Sequence, residues 1–116
     1  GALGFDTIAA ETVIEMREKY QNIKLVMYLP CYGQSKMWKE SEQFRYRMVL
    51  SKADKIIYIT ESVYTDDCMK LRNLKMIKDS SFCIAFCLMQ KSGTGFTLRN
   101  AKNVGIEIVN IADEIY

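Results

Sequence analysis

Apolar positions along this chain switch between a helical and a strand-like rhythm four times. Ile8, Ala9, Val13, Met16 and Tyr20 recur at helical spacing, which predicts an amphipathic helix over Phe5 to Tyr20. The short apolar run Ile23 to Leu29 stops at Pro30 and predicts a strand. After a polar loop from Cys31 to Met37, Tyr46, Val49, Leu50 and Ala53 share one stripe of a second helix, Glu40 to Ala53. Ile56 to Thr60 predicts a second strand. Asp66 and Asp67 are N-cap candidates for a third helix running to about Asp79. Phe82 to Leu88 is the most hydrophobic run and is expected to be a central strand. The loop Gln90 to Gly95 then leads into a helix over Phe96 to Asn103, capped by Gly105. Ile106 to Val109 predicts the last strand, and Ile111 to Tyr116 the start of a terminal helix.

Strands that alternate with helices imply an α/β fold with a mostly parallel sheet between two helical layers. The strands read as continuous apolar runs, so burial on both faces is expected. With no linker and no internal repeat, the 116 residues are expected to form a single domain.

Composition narrows the function. Apolar residues make up 49% of the chain, and 16 Lys and Arg against 14 Asp and Glu leave a formal charge of +2, which excludes a disordered segment. The same balance speaks against a dedicated nucleic-acid binder. His is absent, which removes Ser–His–Asp and Cys–His catalysis and any His-ligated metal. The four cysteines, Cys31, Cys68, Cys83 and Cys87, contain no CxxC pair, so no metal site is expected. Cys83 and Cys87 would share one strand face as small core residues. The longest apolar run, Phe82 to Met89, is far too short to span a bilayer, and a cytoplasmic protein without a membrane partner is the expectation.

In an open parallel sheet, ligands bind where strands end and helices begin. Two glycine-rich segments fall there. Gly1-Ala2-Leu3-Gly4-Phe5-Asp6-Thr7 opens the first helix, where small residues let an anion approach backbone N–H groups; a tight turn with Asp6 as N-cap accounts for it equally well. Ser92-Gly93-Thr94-Gly95-Phe96-Thr97 combines two glycines and three hydroxyls ahead of a helix, the makings of a phosphate cradle, or else a turn with a Thr cap. It is neither a Walker A loop nor GxGxxG. Asn73 lies on the apolar face of the third helix and must find hydrogen-bond partners. Arg72, at the edge of that face, would reach a phosphate or carboxylate, or stand in solvent. Trp38 stacks on a base or braces its loop. Lys70, Lys75 and Lys78 read as a solvated surface, and Met37, Met48, Met69, Met76 and the aromatic residues as packing. Asp6 and Glu61 are the carboxylates available for chemistry.

Taken in order, these segments resemble the SLOG superfamily, the Rossmann-like group that includes the LOG phosphoribohydrolases and the DprA DNA-processing proteins. The resemblance points to its YpsA-like branch of bacterial and phage proteins. It rests on Gly1 to Glu11, Leu29-Pro30-Cys31 with Gln34 and Trp38, Ala53-Asp54, Tyr64-Thr65 with Cys68-Met69, Arg72-Asn73 with Met76, and Gly93-Thr94-Gly95-Phe96-Thr97 with Ala101. It implies a Rossmann-like three-layer sandwich and one nucleotide-binding pocket. Gly1, Ala2, Gly4 and Asp6 would line one side of that pocket and Gly93, Thr94, Gly95 and Thr97 the other, with Arg72 and Asn73 between. The partner implied is a nucleotide-derived small molecule; no cofactor is implied. Family members often associate through helices, so a homo-oligomer is also open.

Two departures from the family pattern matter. LOG enzymes carry a Pro-Gly-Gly…Gly-Thr…Glu motif whose Glu helps cleave an N-glycosidic bond; here Lys91 to Arg99 contains neither Pro nor Glu. The resemblance therefore implies a sensor-like binding module more than a nucleotide hydrolase resting on Asp6 or Glu61. A DprA-like reading would draw on Arg45, Arg47, Arg72 and Arg99. The family fold also has a strand, a helix and a strand before its glycine-rich turn. The expectation is that these N-terminal strands are missing here, leaving the first strand apart from the other three.

Overall fold

The computed structural model describes residues 4–31, 35–59 and 67–115. Among the described residues, two pairs of parallel strands alternate with five helices. They fall into two compact units, residues 1–68 and 69–116, each built around one β–α–β crossover.

In the first unit, α1 (Phe5–Met16) precedes β1 (Val26–Leu29), α2 (Glu40–Lys52) and β2 (Lys55–Tyr58). The strands pair in parallel, with Val26 opposite Lys55 and Leu29 opposite Tyr58. Ala10 of α1, Leu25, Met27 and Leu29 around β1, and Tyr46 and Val49 of α2 form the core. Val13, Ile14, Trp38, Leu50 and Ala53 pack against it. The stripe predicted for α2 is therefore the one used. That predicted for α1 is not: Ile8, Met16 and Tyr20 are exposed, and the buried positions are Thr7 and Ala10. The helix also ends at Met16 instead of Tyr20. Beyond it the chain tightens into turns, with Lys19 and Tyr20 N–H both donating to the Met16 carbonyl.

Asp54 explains where β1 begins. Its carboxylate accepts the Leu25 N–H at 2.8 Å and the Arg17 guanidinium at 2.7 Å, while its own N–H donates to the Leu25 carbonyl at 2.8 Å. The Leu25 N–H is thus satisfied by this side chain and its carbonyl by the Asp54 and Lys55 N–H groups, and the paired register starts at Val26. The Leu25 N–H, followed by the Arg17 guanidinium, holds the Asp54 carboxyl below the usual carboxylate value. A carboxyl depressed in the folded state stabilises above its unfolded-state pKa, and that contribution disappears as pH falls through the folded value. Urea titrations between about pH 6 and about pH 2 should therefore show the gap between wild type and Asp54→Asn closing at the acid end. A gap that holds constant over this range would mean the clamp does not depend on charge. Arg45 links the two helices, donating to Glu11 through Nε at 2.9 Å and through its terminal nitrogen at 2.6 Å.

The second unit holds α3 (Cys68–Lys78, from Met69 onward), β3 (Phe82–Ala85), α4 (Gly93–Val104), β4 (Glu107–Asn110) and α5 (Ile111–Ile115). Phe82 pairs with Glu107 and Ala85 with Asn110, again in parallel. α4 packs on both strands and α5 on β3. Ala85, Ala101 and Ala112 are buried, small residues that let the helices approach closely. Gly105 ends α4 at φ 84°, donating its N–H to the Ala101 and Lys102 carbonyls, the left-handed cap its position predicts.

Four expectations are corrected. The first strand does not stand apart: it pairs with β2, because a single crossover through α2 delivers the next strand beside it. Burial on both strand faces is not found: Val26, Ile56, Tyr58, Phe82 and Ile84 are exposed while Met27, Leu29 and Ala85 are buried, so the described helices cover one side. β3 stops at Ala85, and Cys87 therefore lies in the following loop, half-buried, with its thiol 3.4 Å from the Met89 carbonyl. The buried cysteines are instead Cys31 and Cys68. Packing roles also fail for Met37, Met48, Phe44 and Met76, all exposed. No helix among the described residues is long and apolar enough to cross a membrane.

Candidate functional site

Gly1, Ala2 and Glu61 lie outside the described residues, as do Gln34, Thr60, Tyr64, Thr65, Asp66 and Tyr116. The remaining candidates fall into two groups, each taken by itself.

At the start of α1, Gly4 adopts φ 78° and ψ −123°, a conformation that L side chains rarely enter. Among the described residues no atom beyond its chain neighbours stands within 4 Å of where its Cβ would be, so the requirement for glycine seen there is conformational. Gly4 occupies the N-cap position with no side-chain cap, which corrects the reading of Asp6 as the cap. Asp6 is instead the second helical residue, half-buried in the first turn, where a carboxylate complements the helix dipole.

The second glycine-rich segment differs more from expectation. α4 begins at Gly93, not Phe96, so Gly93, Thr94 and Gly95 form its first turn. The cap is Ser92, whose Oγ accepts the Gly95 N–H at 3.1 Å and donates to the Met89 carbonyl at 2.6 Å. Ser92 also accepts the Phe96 N–H at its carbonyl, at 3.0 Å. A Ser just ahead of a helix is a known cap signal, but the glycines after it mask the helix start.

The two glycines have different jobs. A Cβ on Gly95 would lie 2.1 Å from the Gln90 carbonyl oxygen and 2.5 Å from its carbon. Gly95 is glycine because the preceding loop folds directly over it. Gly93 differs: beyond its chain neighbours and its own helix backbone, no atom of the described residues lies within 4 Å of its would-be Cβ. The Gly93 and Thr94 N–H groups have no acceptor among the described residues, as expected for the first donors of a helix. Thr97 turns its hydroxyl back to the Gly93 carbonyl at 3.1 Å. Arg99 donates to the Gln90 carbonyl and so holds the loop from the other side. Lys70 of α3 sits 5.5 Å from the centre of the Phe96 ring, and Lys75 pairs with Asp79 at 3.3 Å.

Arg72 is 3% exposed, which corrects the solvated alternative. Its Nε donates to the Asn73 side-chain oxygen at 2.6 Å, the partner that amide needed. Trp38 packs edge-on against Tyr46, with ring centres 5.0 Å apart and planes at 68°. The Gln43 side-chain nitrogen lies 3.0 to 3.1 Å from the carbonyls of Ser35, Lys36 and Trp38 and fixes the loop that carries this ring. Of the four arginines a nucleic-acid groove would use, Arg45 is paired with Glu11, Arg99 reaches Gln90 and Arg72 is buried.

Sequence patterning gave no warning of Asn110. Its side-chain oxygen accepts the Cys87 N–H at 2.9 Å and the Ala112 N–H at 3.2 Å, and its amide donates to the Cys87 carbonyl at 3.0 Å. It thus ties the backbone two residues beyond the end of β3 to the end of β4, and caps α5 at once. Hydrophobic period does not single it out; the signal is an Asn directly before a helix whose first turn is acidic.

Parallel strands joined by helical crossovers, with glycine-rich turns at helix starts, define a Rossmann-like α/β protein. The family model YpsA, described as the YspA SLOG family, matches residues 1–106, and the chain belongs to that family. It is similar to a UPF0398 protein of Bacillus cereus strain B4264, at 35% identity over 112 residues. A UPF0398 protein of Bacillus thuringiensis strain Al Hakam is 34% identical over the same length. Each alignment covers 95% of this chain and 60% of the relative, so the chain spans about three-fifths of the relatives' length.

Proposed function

We propose that this chain is a sensor-like domain that binds a nucleotide or a nucleotide-derived small molecule, with the first turn of α4 receiving a phosphate. The observation that carries this reading is the pair of N–H groups at Gly93 and Thr94, presented without a side chain at Gly93 and backed by a loop that Ser92, Gly95 and Arg99 hold rigid. Such an arrangement attracts an anion through both hydrogen bonding and the helix dipole. Membership of the SLOG group supports it, since the glycine segments fall where that group's pocket is expected. A hydrolase is the second reading and rests on Asp6, placed in the first turn of α1.

Thermal shift assays with nucleoside phosphates, ADP-ribose and cyclic dinucleotides test the proposal. At least one should raise the melting temperature of the protein. Gly93→Asp should abolish that shift while leaving the unliganded melting temperature nearly unchanged. It adds a Cβ in open space and a carboxylate that suits a first helical turn but repels phosphate. No shift with any of these ligands would refute binding. Release of free base that stops in Asp6→Asn would move the reading from sensor to enzyme.

A further inference from the structure

Cys31 and Cys68 take no part in the site above, yet they meet. Cys31 follows Pro30 at the end of β1 and is 1% exposed; Cys68 opens α3 and is fully buried. They are 37 positions apart in the chain, and their sulfurs lie 3.6 Å apart with the Cys68 thiol donating to Cys31. Burial, reinforced by Cys68, pushes the Cys31 thiol up to about 11, so it rests protonated at neutral pH. No cluster of three metal-ligating side chains occurs among the described residues, which leaves the pair short of a closed tetrahedral metal site. The half-buried Cys83 and Cys87 show no comparable sulfur contact.

We propose that Cys31 and Cys68 form a reversible dithiol–disulfide couple, oxidised by a low-molecular-weight disulfide. One cysteine, deprotonated, attacks a sulfur of the oxidant. A mixed disulfide forms, and one small thiolate leaves and takes up the proton that the cysteine lost. The second cysteine then attacks the protein sulfur of the mixed disulfide and releases the second small thiol. Two protein thiols have given up two electrons and two protons, and the oxidant has become two thiols.

The sulfurs need to approach by about 1.6 Å to reach bonding distance, a shift on the scale of side-chain torsion. Because neither thiol is exposed, the first attack waits on a local opening, and exchange is slow. The bond closes a loop through α2 and β2, from the end of β1 to Cys68.

The test equilibrates the protein in graded mixtures of reduced and oxidised glutathione, quenches it with acid, alkylates free thiols in denaturant and maps the peptides. A Cys31–Cys68 linked peptide is expected to appear in a single two-electron transition, with Cys83 and Cys87 still alkylated, and to vanish on reduction. The oxidised protein should melt higher by on the order of 10 °C, since the cross-link restricts the unfolded chain. Cys68→Ala should lose the transition. The proposal falls if Cys31 and Cys68 stay reduced in the most oxidising mixture, if a glutathione adduct accumulates at either one, if the link forms to Cys83 or Cys87, or if the linked form melts below the reduced one.

Discussion

Gly95→Ala is expected to destabilise the protein by about 3 kcal/mol, because it is the one described glycine whose added methyl would meet other atoms within 4 Å. The added carbon would stand 2.1 Å from the Gln90 carbonyl oxygen, 2.5 Å from its carbon and 2.9 Å from its Cα. All three atoms are backbone, so no side chain can swing aside. Moving Gln90 would strain the turn in which Ser92 N–H and Oγ both reach Met89, and would pull the Gln90 carbonyl away from Arg99. Gly93→Ala is the control two residues away. It meets nothing, and in a first helical turn it should be neutral or stabilising by up to about 1 kcal/mol. Chemical denaturation of the two variants measures the contrast. Equal costs would mean that the loop over Gly95 gives way, and that the rigid backing assigned to the α4 turn is absent.

Asn110→Ala is expected to cost about 2–3 kcal/mol. A helix cap contributes about 1 kcal/mol, and each side-chain bond to backbone about 1 kcal/mol. Asn110 supplies one cap bond at Ala112 and two bonds to Cys87. Asn110→Asp separates these contributions. It keeps the acceptor for the Cys87 and Ala112 N–H groups but sets a carboxylate oxygen against the Cys87 carbonyl, so it should recover the cap and still fall short of wild type. Full recovery by Asp would show that the bond to the Cys87 carbonyl contributes little.

These two residues mark what the sequence made legible and what it did not. The order of helices and strands follows from hydrophobic period, and Tyr46 and Val49 sit in the core as the α2 stripe predicts. The resemblance to the SLOG group was readable because its motifs are local and ordered. Boundaries were less legible, for identifiable reasons. Gly93-Thr94-Gly95 reads as loop because glycine disfavours helices, but the Ser92 cap and the folded-back Gln90 reward helix there. The run Phe82 to Leu88 overshoots its strand, because Asn110 pairs with the Cys87 backbone through its side chain and so replaces the ladder. Arg72 is the least legible position. A helical wheel shows a charged residue at the edge of an apolar face, and nothing in the period indicates that an adjacent amide will accept its Nε inside the fold. The pairing of Cys31 with Cys68 is equally invisible, since it depends on a contact between residues far apart in the chain.

The loop pinned by Gln43 has one further consequence. Trp38 is the only tryptophan in the chain, and it is locked against Tyr46 within the first unit. Its emission therefore reports on packing within the first unit. Circular dichroism, by contrast, sums helices from both units. Comparing the two signals through one melt separates a cooperative protein from one whose halves come apart in turn.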